Sequence, residues 1–285
     1  MDGPMRSGNH APPTRARALV RALARVVTTL VAGPVLVAGC SPASTPATPV
    51  GQAERLEVRI LATEPHDPTA FTQGLELDGD RLLEGTGRSG QSRITATDRA
   101  TGEVLARDDL PAPLFGEGIT RAGDVVWQLT WRDGIAVVRD PDTLTELRRV
   151  TYDGEGWGIC ATDDALITSD GSDTLTVRDP VSFAVRSTQS VTSAGQPVTA
   201  LNELECTPDG VWANRWKTDE IVRIDPDSGE VTAVVDAAPL RASLDPDADV
   251  DVLNGIAAVD GTDRFLVTGK LWPTMFEVQF VPADA

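Results

Sequence analysis

The sequence predicts an all-β fold, a five-bladed β-propeller with four antiparallel strands per blade. Three observations predict it. A short motif recurs five times at spacings of 44, 40, 45 and 52 residues. Each copy is followed by short strand-like runs separated by turn chemistry. No long segment of 3.6-residue period competes beyond the N-terminal region.

The five motif copies are Phe71-Thr72-Gln73-Gly74-Leu75, Phe115-Gly116-Glu117-Gly118-Ile119, Gly156-Trp157-Gly158-Ile159, Leu201-Asn202-Glu203-Leu204 and Leu253-Asn254-Gly255-Ile256. Each precedes a turn such as Asp78-Gly79-Asp80 or Pro208-Asp209-Gly210, and a second strand follows at 81–84, 125–130, 165–169, 211–214 and 265–268. Third strands fall at 94–98, 136–140, 175–179 and 221–225, and a fourth, as at 230–235, completes the unit. Repeats of this length with four strands are the blades of a propeller. The last unit ends at 278–281, one strand short. The alternating run 55–61 is expected to supply that strand and so remove a free sheet edge.

Residues 54–285 therefore form the expected propeller domain. Residues 1–40 read as an export signal. Arg6, Arg15, Arg17, Arg21 and Arg25 give a basic start, and the apolar run 26–38 is too short to span a bilayer comfortably. Val37-Ala38-Gly39-Cys40 matches the lipobox of bacterial lipoproteins, which would make Cys40 the lipidated residue; a plain secretory signal with an incidental cysteine is the alternative. Residues 41–53, rich in Pro, Ser, Thr and Ala, read as a flexible tether. The expected location is the outer face of the cell membrane.

Only five of the 25 basic residues and one of the 43 acidic residues lie in the first 40, so the rest of the chain carries a net charge of −22. That argues against nucleic acid as a partner and favours cationic groups such as the free amine of a peptide. Cys160 and Cys206 fall at nearly the same offset in adjacent repeats. In an exported chain they form a disulfide or remain buried thiols.

The first strand of each blade lines the channel, so Gln73, Glu117, Trp157, Asn202 and Asn254 should form a ring. Ordinary packing would repeat one small apolar residue there. Three amides, one acid and an indole point to a site. A second layer, from the ends of the second strands, holds Trp131, Asp170, Trp216 and Lys270. Trp127, Trp212 and Trp272 read as packing within blades. The chain has 23 Arg and only two Lys, Lys217 and Lys270, so Lys270 is a candidate for a role that Arg cannot fill.

These motifs, together with Leu129-Thr130-Trp131, Ser169-Asp170-Gly171-Ser172 and Thr268-Gly269-Lys270-Leu271-Trp272-Pro273, resemble the plant-type glutaminyl-peptide cyclotransferases over residues 55–280. The resemblance implies an enzyme that converts the N-terminal glutamine of peptides to pyroglutamate with release of ammonia, and that needs no metal or other cofactor. It makes Glu117 the catalytic carboxyl, with Lys270 beside it. Gln73 and Asn202 become polar pocket residues, and Phe71, Phe115, Trp131, Trp157 and Trp216 the aromatic wall. Asn254 joins them on the repeat alignment alone. A monomer is expected. Arg215 and the Cys160/Cys206 pair depart from the family pattern without touching a position the chemistry needs.

Two rival readings stand beside this one. A calcium-dependent propeller hydrolase of lactonase type could use Glu117, Asn202, Asn254 and Asp170 as oxygen ligands. A lone acid among aromatics makes a poor cage. A non-enzymatic binding platform would show large polar loops or exposed apolar patches, whereas the repeats here are compact. His66 reads as a loop residue without a partner, which leaves zinc and Ser-His-Asp chemistry without support.

Overall fold

The computed structural model describes residues 52–283. The signal segment, Cys40 and the tether up to residue 51 lie outside the described residues. β1 (Glu54–Pro65) is followed by three separate four-stranded antiparallel sheets. The first holds β2 (Thr72–Asp78), β3 (Arg81–Thr86), β4 (Arg93–Asp98) and β5 (Val104–Asp109). The second holds β6 (Gly116–Ala122), β7 (Val125–Thr130), β8 (Ile135–Arg139) and β9 (Glu146–Thr151). The third holds β10 (Ile159–Ala161), β11 (Leu166–Thr168), β12 (Thr174–Arg178) and β13 (Val185–Ser190). A small hairpin of β14 (Thr192–Ser193) and β15 (Gln196–Pro197) follows.

Four more strands continue the pattern: β16 (Leu201–Thr207), β17 (Gly210–Arg215), β18 (Glu220–Ile224) and β19 (Val231–Asp236). After the short helix α1 (Ala238–Ala242) come β20 (Leu253–Val259), β21 (Arg264–Gly269) and β22 (Thr274–Pro282). β1 pairs antiparallel with β22 from Leu56↔Pro282 to Pro65↔Thr274, as the missing fourth strand of that unit. It also runs parallel to β19, from Glu54↔Ala233 to Glu57↔Asp236. One strand thus closes the last unit and welds it to the preceding one in an eight-stranded sheet. Both edges of β1 are occupied, which removes two free sheet edges at the seam.

The inner strands neighbour one another in cyclic order, β2 to β6 to β10 to β16 to β20 and back to β2. Their ladders are broken where the ring residues sit. Register shifts fall between Thr72 and Gly74, Gly116 and Ile119, Leu201 and Leu204, and Leu253 and Ile256. Such irregularities release a side chain from the pleat and re-aim it. Gln73, Glu117, Asn202 and Asn254 are among the residues released.

The inner strands approach too closely for side chains at some positions. A Cβ on Gly118 would stand 2.7 Å from the Trp157 carbonyl oxygen and 2.9 Å from Gly158 Cα. Gly118 N–H donates to that same carbonyl at 2.8 Å. Buried carboxyls stitch the strands elsewhere. Glu203 accepts from Leu75 N–H at 3.2 Å and Ile256 N–H at 2.9 Å, Glu205 from Ala258 N–H at 2.9 Å, and Glu76 from Arg121 N–H at 2.9 Å.

The core lies between adjacent sheets. Trp127 stacks on Phe183 with ring centroids 4.8 Å apart, Trp212 packs on Phe265 and Phe280, and Trp272 on Phe276. All three indoles are buried, as the packing reading expects. Truncating one such side chain to alanine typically costs about 3–5 kcal/mol. Cys160 on β10 and Cys206 on β16 are joined by a disulfide across neighbouring inner strands, with Cα atoms 5.4 Å apart.

His66 corrects the sequence reading. It lies on the connection after β1, as a loop residue should, but it has partners: Nε2 lies 2.9 Å from Glu84 and Nδ1 2.6 Å from the Trp272 carbonyl oxygen. Burial opposes its charge, but Glu84, the Trp272 carbonyl and Asp67 outweigh that and raise its pKa. It ties the start of the first unit to the last.

Candidate active site

At one end of the ring a cavity of about 540 Å³ opens. Gln73, Glu117, Asn202 and Lys270 supply its polar lining, and Phe71, Phe115, Trp131, Trp157 and Trp216 its apolar lining. These side chains come from connections and strands more than 190 residues apart in the chain, brought together by the ring closure.

The aromatic side chains support one another. Phe71 meets Phe115 edge-on at 6.4 Å, Phe115 meets Trp131 at 5.5 Å, and Trp157 meets Trp216 edge-on at 5.3 Å. Trp216 is the most open of them, 36% exposed at the rim.

Glu117 is 5% exposed. Its only hydrogen bond within the described residues comes from Gln73 Nε2 to Oε1, at 3.2 Å. Asn254 holds that amide in turn, with Nδ2 3.0 Å from the Thr72 carbonyl oxygen and 3.5 Å from Gln73 Oε1. The relay from Asn254 through Gln73 to Glu117 fixes which way the Gln73 amide points. Burial pushes the Glu117 carboxyl well above the usual carboxylate range; Lys270 pulls it back and Glu155 adds to the rise. Lys270 is itself lowered by burial, against the attraction of Glu117 and Asp251. Its ammonium lies 4.9 Å from the Phe71 ring centroid. The Asn202 side-chain amide lines the cavity and makes no hydrogen bond to the described residues.

Two expectations change. Asn254 is fully buried behind Gln73 and does not line the cavity, so it orients a pocket residue rather than meeting a ligand. Asp170 is exposed and accepts from Ser172 N–H at 3.0 Å, away from the cavity lining. The four oxygen ligands weighed for calcium are therefore not brought together.

Glu155 was missed. One of its oxygens accepts from both Trp131 Nε1, at 2.8 Å, and Trp157 Nε1, at 3.0 Å. The other accepts from Arg132 Nε at 2.7 Å. A single carboxylate thus pins two wall indoles, and burial, which would raise its pKa, is outweighed by these donors, which lower it. Arg88, Lys217, Asp251 and Val252 also line the mouth. The sequence signal available for Arg88 and Lys217 was their common offset, each one step past the end of a second strand's rim residue.

An aromatic pocket around one desolvated carboxyl, with the unpaired Asn202 amide beside it, is the kind of site that enzymes build for a small polar group. Comparison with known proteins narrows the class. The family model described as glutamine cyclotransferase matches residues 33–280, and the chain belongs to that family. The glutaminyl-peptide cyclotransferase of Arabidopsis thaliana is 36% identical over 233 residues, spanning 80% of this chain and 73% of the plant protein. The crystal structure of Myxococcus xanthus glutaminyl cyclase superposes with a TM-score of 0.75 at 35% identity, covering 82% of this chain and 100% of that one.

Proposed function

We propose that this chain cyclises the N-terminal glutamine of peptides in the axial cavity, with Glu117 as the proton shuttle. The observation that carries the reading is the desolvated Glu117 carboxyl, held by a single amide donor and facing a pocket of indoles. The α-amine nitrogen attacks the γ-carboxamide carbon, forming a C–N bond and a five-membered ring. Glu117 takes a proton from the attacking amine and delivers it to the departing amide nitrogen. The original C–N bond breaks, and ammonia leaves from a lactam-capped peptide.

The amine must be neutral to attack, and with an ordinary pKa of about 8 it needs only modest help. A carboxylate raised toward working pH is a competent acceptor and a competent donor. Asn202 and Gln73 can hold the side-chain amide and stabilise the oxyanion as it develops. The indole faces attract the ammonium form, exclude water and keep the glutamine side chain folded for ring closure. Glu155 serves by locking Trp131 and Trp157 in place.

The five sheets are read as blades of a propeller, with β1 shared at the seam. The closed cycle of inner strands supports this. Because one chain closes the ring, no second copy is needed to complete the cavity, consistent with a monomer. The lipobox ending at Cys40 supports a lipid anchor, with residues 41–53 tethering the enzyme at the outer face of the cell membrane.

Mass spectrometry on a Gln-initiated peptide should show loss of one ammonia, and an Asn-initiated control should stay unchanged. Glu117→Gln should lower turnover by about 10²–10⁴ without loss of fold. A near-normal rate in that variant would remove the carboxyl from the mechanism.

A further inference from the structure

A second cavity, of about 570 Å³, adjoins the axial one. The two share Arg88, Lys217, Asp251 and Val252, so the mouth of the axial pocket is the inner end of this groove. Its character is different. Charged and polar side chains dominate its lining, joined by Val250, Val252 and Leu271 and by no aromatic ring.

Arg88, on the β3–β4 connection, and Lys217, on the β17–β18 connection, make no ion pair with the described residues. Their charged ends lie over wall aromatics instead, 4.4 Å from the Phe71 centroid and 4.1 Å from that of Trp216. Arg132 also covers a wall residue, Trp131 at 3.9 Å, but its guanidinium is committed to Glu155. Two cations at the mouth thus keep their donors free.

The backbone at this mouth is strained. Arg88, Lys217 and Leu271 all line the groove with positive φ, at 80°, 63° and 62°. Left-handed non-glycine residues persist where the surrounding structure enforces them, and they concentrate at ligand sites. Here the enforced geometry places two cations at the exit of the pocket.

Carboxylates come from the segment between α1 and β20. Asp249 is exposed and has no partner among the described residues, while Asp251 accepts only its neighbour's N–H, Val252, at 2.6 Å. Asp219 and Arg241 pair with each other at 2.9 Å and complete a lining of balanced charge. Free donors and free acceptors lie together in one groove. A peptide main chain offers the complement, one carbonyl acceptor and one N–H donor per residue.

We propose that this groove is the subsite for the main chain of the residues that follow the N-terminal glutamine. It rests on the cyclase reading, since a glutamine seated with its amine in the axial pocket must lead its chain out through this mouth. Arg88 and Lys217 donate to the carbonyl oxygens of the following residues, and Asp249 and Asp251 accept from their N–H groups. Recognition of main chain makes the enzyme sensitive to peptide length and tolerant of side-chain charge. The axial pocket takes the glutamine; the groove takes peptide of any sequence.

Steady-state kinetics on C-terminally amidated substrates test this. The series runs from glutaminamide through Gln-Ala to Gln-Ala-Ala-Ala, with Glu and Lys variants at the second position. KM should fall on the order of tenfold from the shortest to the longest, equivalent to one or two net hydrogen bonds, with kcat nearly constant. The Glu and Lys variants should agree within a few-fold. In Arg88→Ala/Lys217→Ala, and in Asp249→Trp, which fills the groove, the ratio of short- to long-substrate KM should collapse toward one. The readout is that ratio, so a general change in rate does not enter it. A wild-type KM independent of length, a large preference for one charge, or variants that keep the ratio would overturn the subsite. Failure to turn over any member of the series would instead overturn the cyclase reading beneath it.

Discussion

Replacing Lys270 by methionine should move the acid limb of the pH–rate profile upward. The ammonium and the Glu117 carboxyl line the same cavity. Lys270 is the leading influence holding the carboxyl down against burial. Unit charges sharing one small cavity, in an effective dielectric near 20, interact by on the order of a few kcal/mol. Methionine keeps the length of the side chain and removes that attraction. The carboxyl of the variant then holds its proton to higher pH. Since the ionised form must receive the amine proton, kcat/KM on the acid side falls, and its midpoint rises. The assay is kcat/KM for a Gln-initiated peptide over a range from about pH 5 to about 10, with ammonia release as readout. Lys270→Arg restores a charge and should bring the limb back toward the wild-type position, whatever it does to turnover. An acid limb that stays in place in Lys270→Met, or moves down, would refute the electrostatic coupling on which the proton-shuttle argument depends.

Glu155→Gln should shift the same limb in the opposite direction, because its charge raises the Glu117 carboxyl; the shift should be smaller, since Glu155 is 34% exposed and partly screened. The same variant should raise KM and change the intrinsic tryptophan fluorescence as Trp131 and Trp157 lose a charged acceptor. Cys160→Ala/Cys206→Ala opens a link spanning 46 residues and should lower unfolding free energy by up to about 4 kcal/mol in denaturant titration, while the folded fraction retains activity.

The sequence made the ring legible because the same offset in each repeat arrives at the same height on one axis. Gln73, Glu117, Trp157 and Asn202 could be gathered from spacing alone. Lys270, Trp131 and Trp216 followed from the second-strand ends. Spacing says which height a residue occupies, not which way its side chain turns. Asn254 has the ring offset, yet the bulge between Leu253 and Ile256 sends its amide into Gln73 rather than into the cavity. Asp170 has the rim offset, yet it turns outward to cap Ser172. Glu155 was invisible for another reason. It precedes Trp157 in an irregular connection with no counterpart in other repeats, and its meaning depends on an indole 24 residues away. His66 failed similarly, since its partners Glu84 and Trp272 belong to opposite ends of the chain.

The buried acids of the inner strands show what sets the Glu117 carboxyl apart from its neighbours. Glu203 and Glu205 are also pushed well above the usual range by burial, so a raised pKa does not distinguish Glu117. The difference lies in donors. Glu203 receives two backbone N–H groups and Glu205 one, which occupy lone pairs and fix each carboxyl between strands. A group held this way cannot exchange a proton with a ligand without breaking the ring's own bonds. Glu117 sits at the same type of irregularity in its strand but receives no backbone N–H, only the Gln73 amide at 3.2 Å. Its desolvation is left uncompensated by the fold, and its remaining lone pairs face the cavity. A bulged inner strand thus yields a structural carboxyl where the neighbouring strand supplies donors and, where that supply is withheld, a carboxyl left open to the cavity, as the proposed proton shuttle requires.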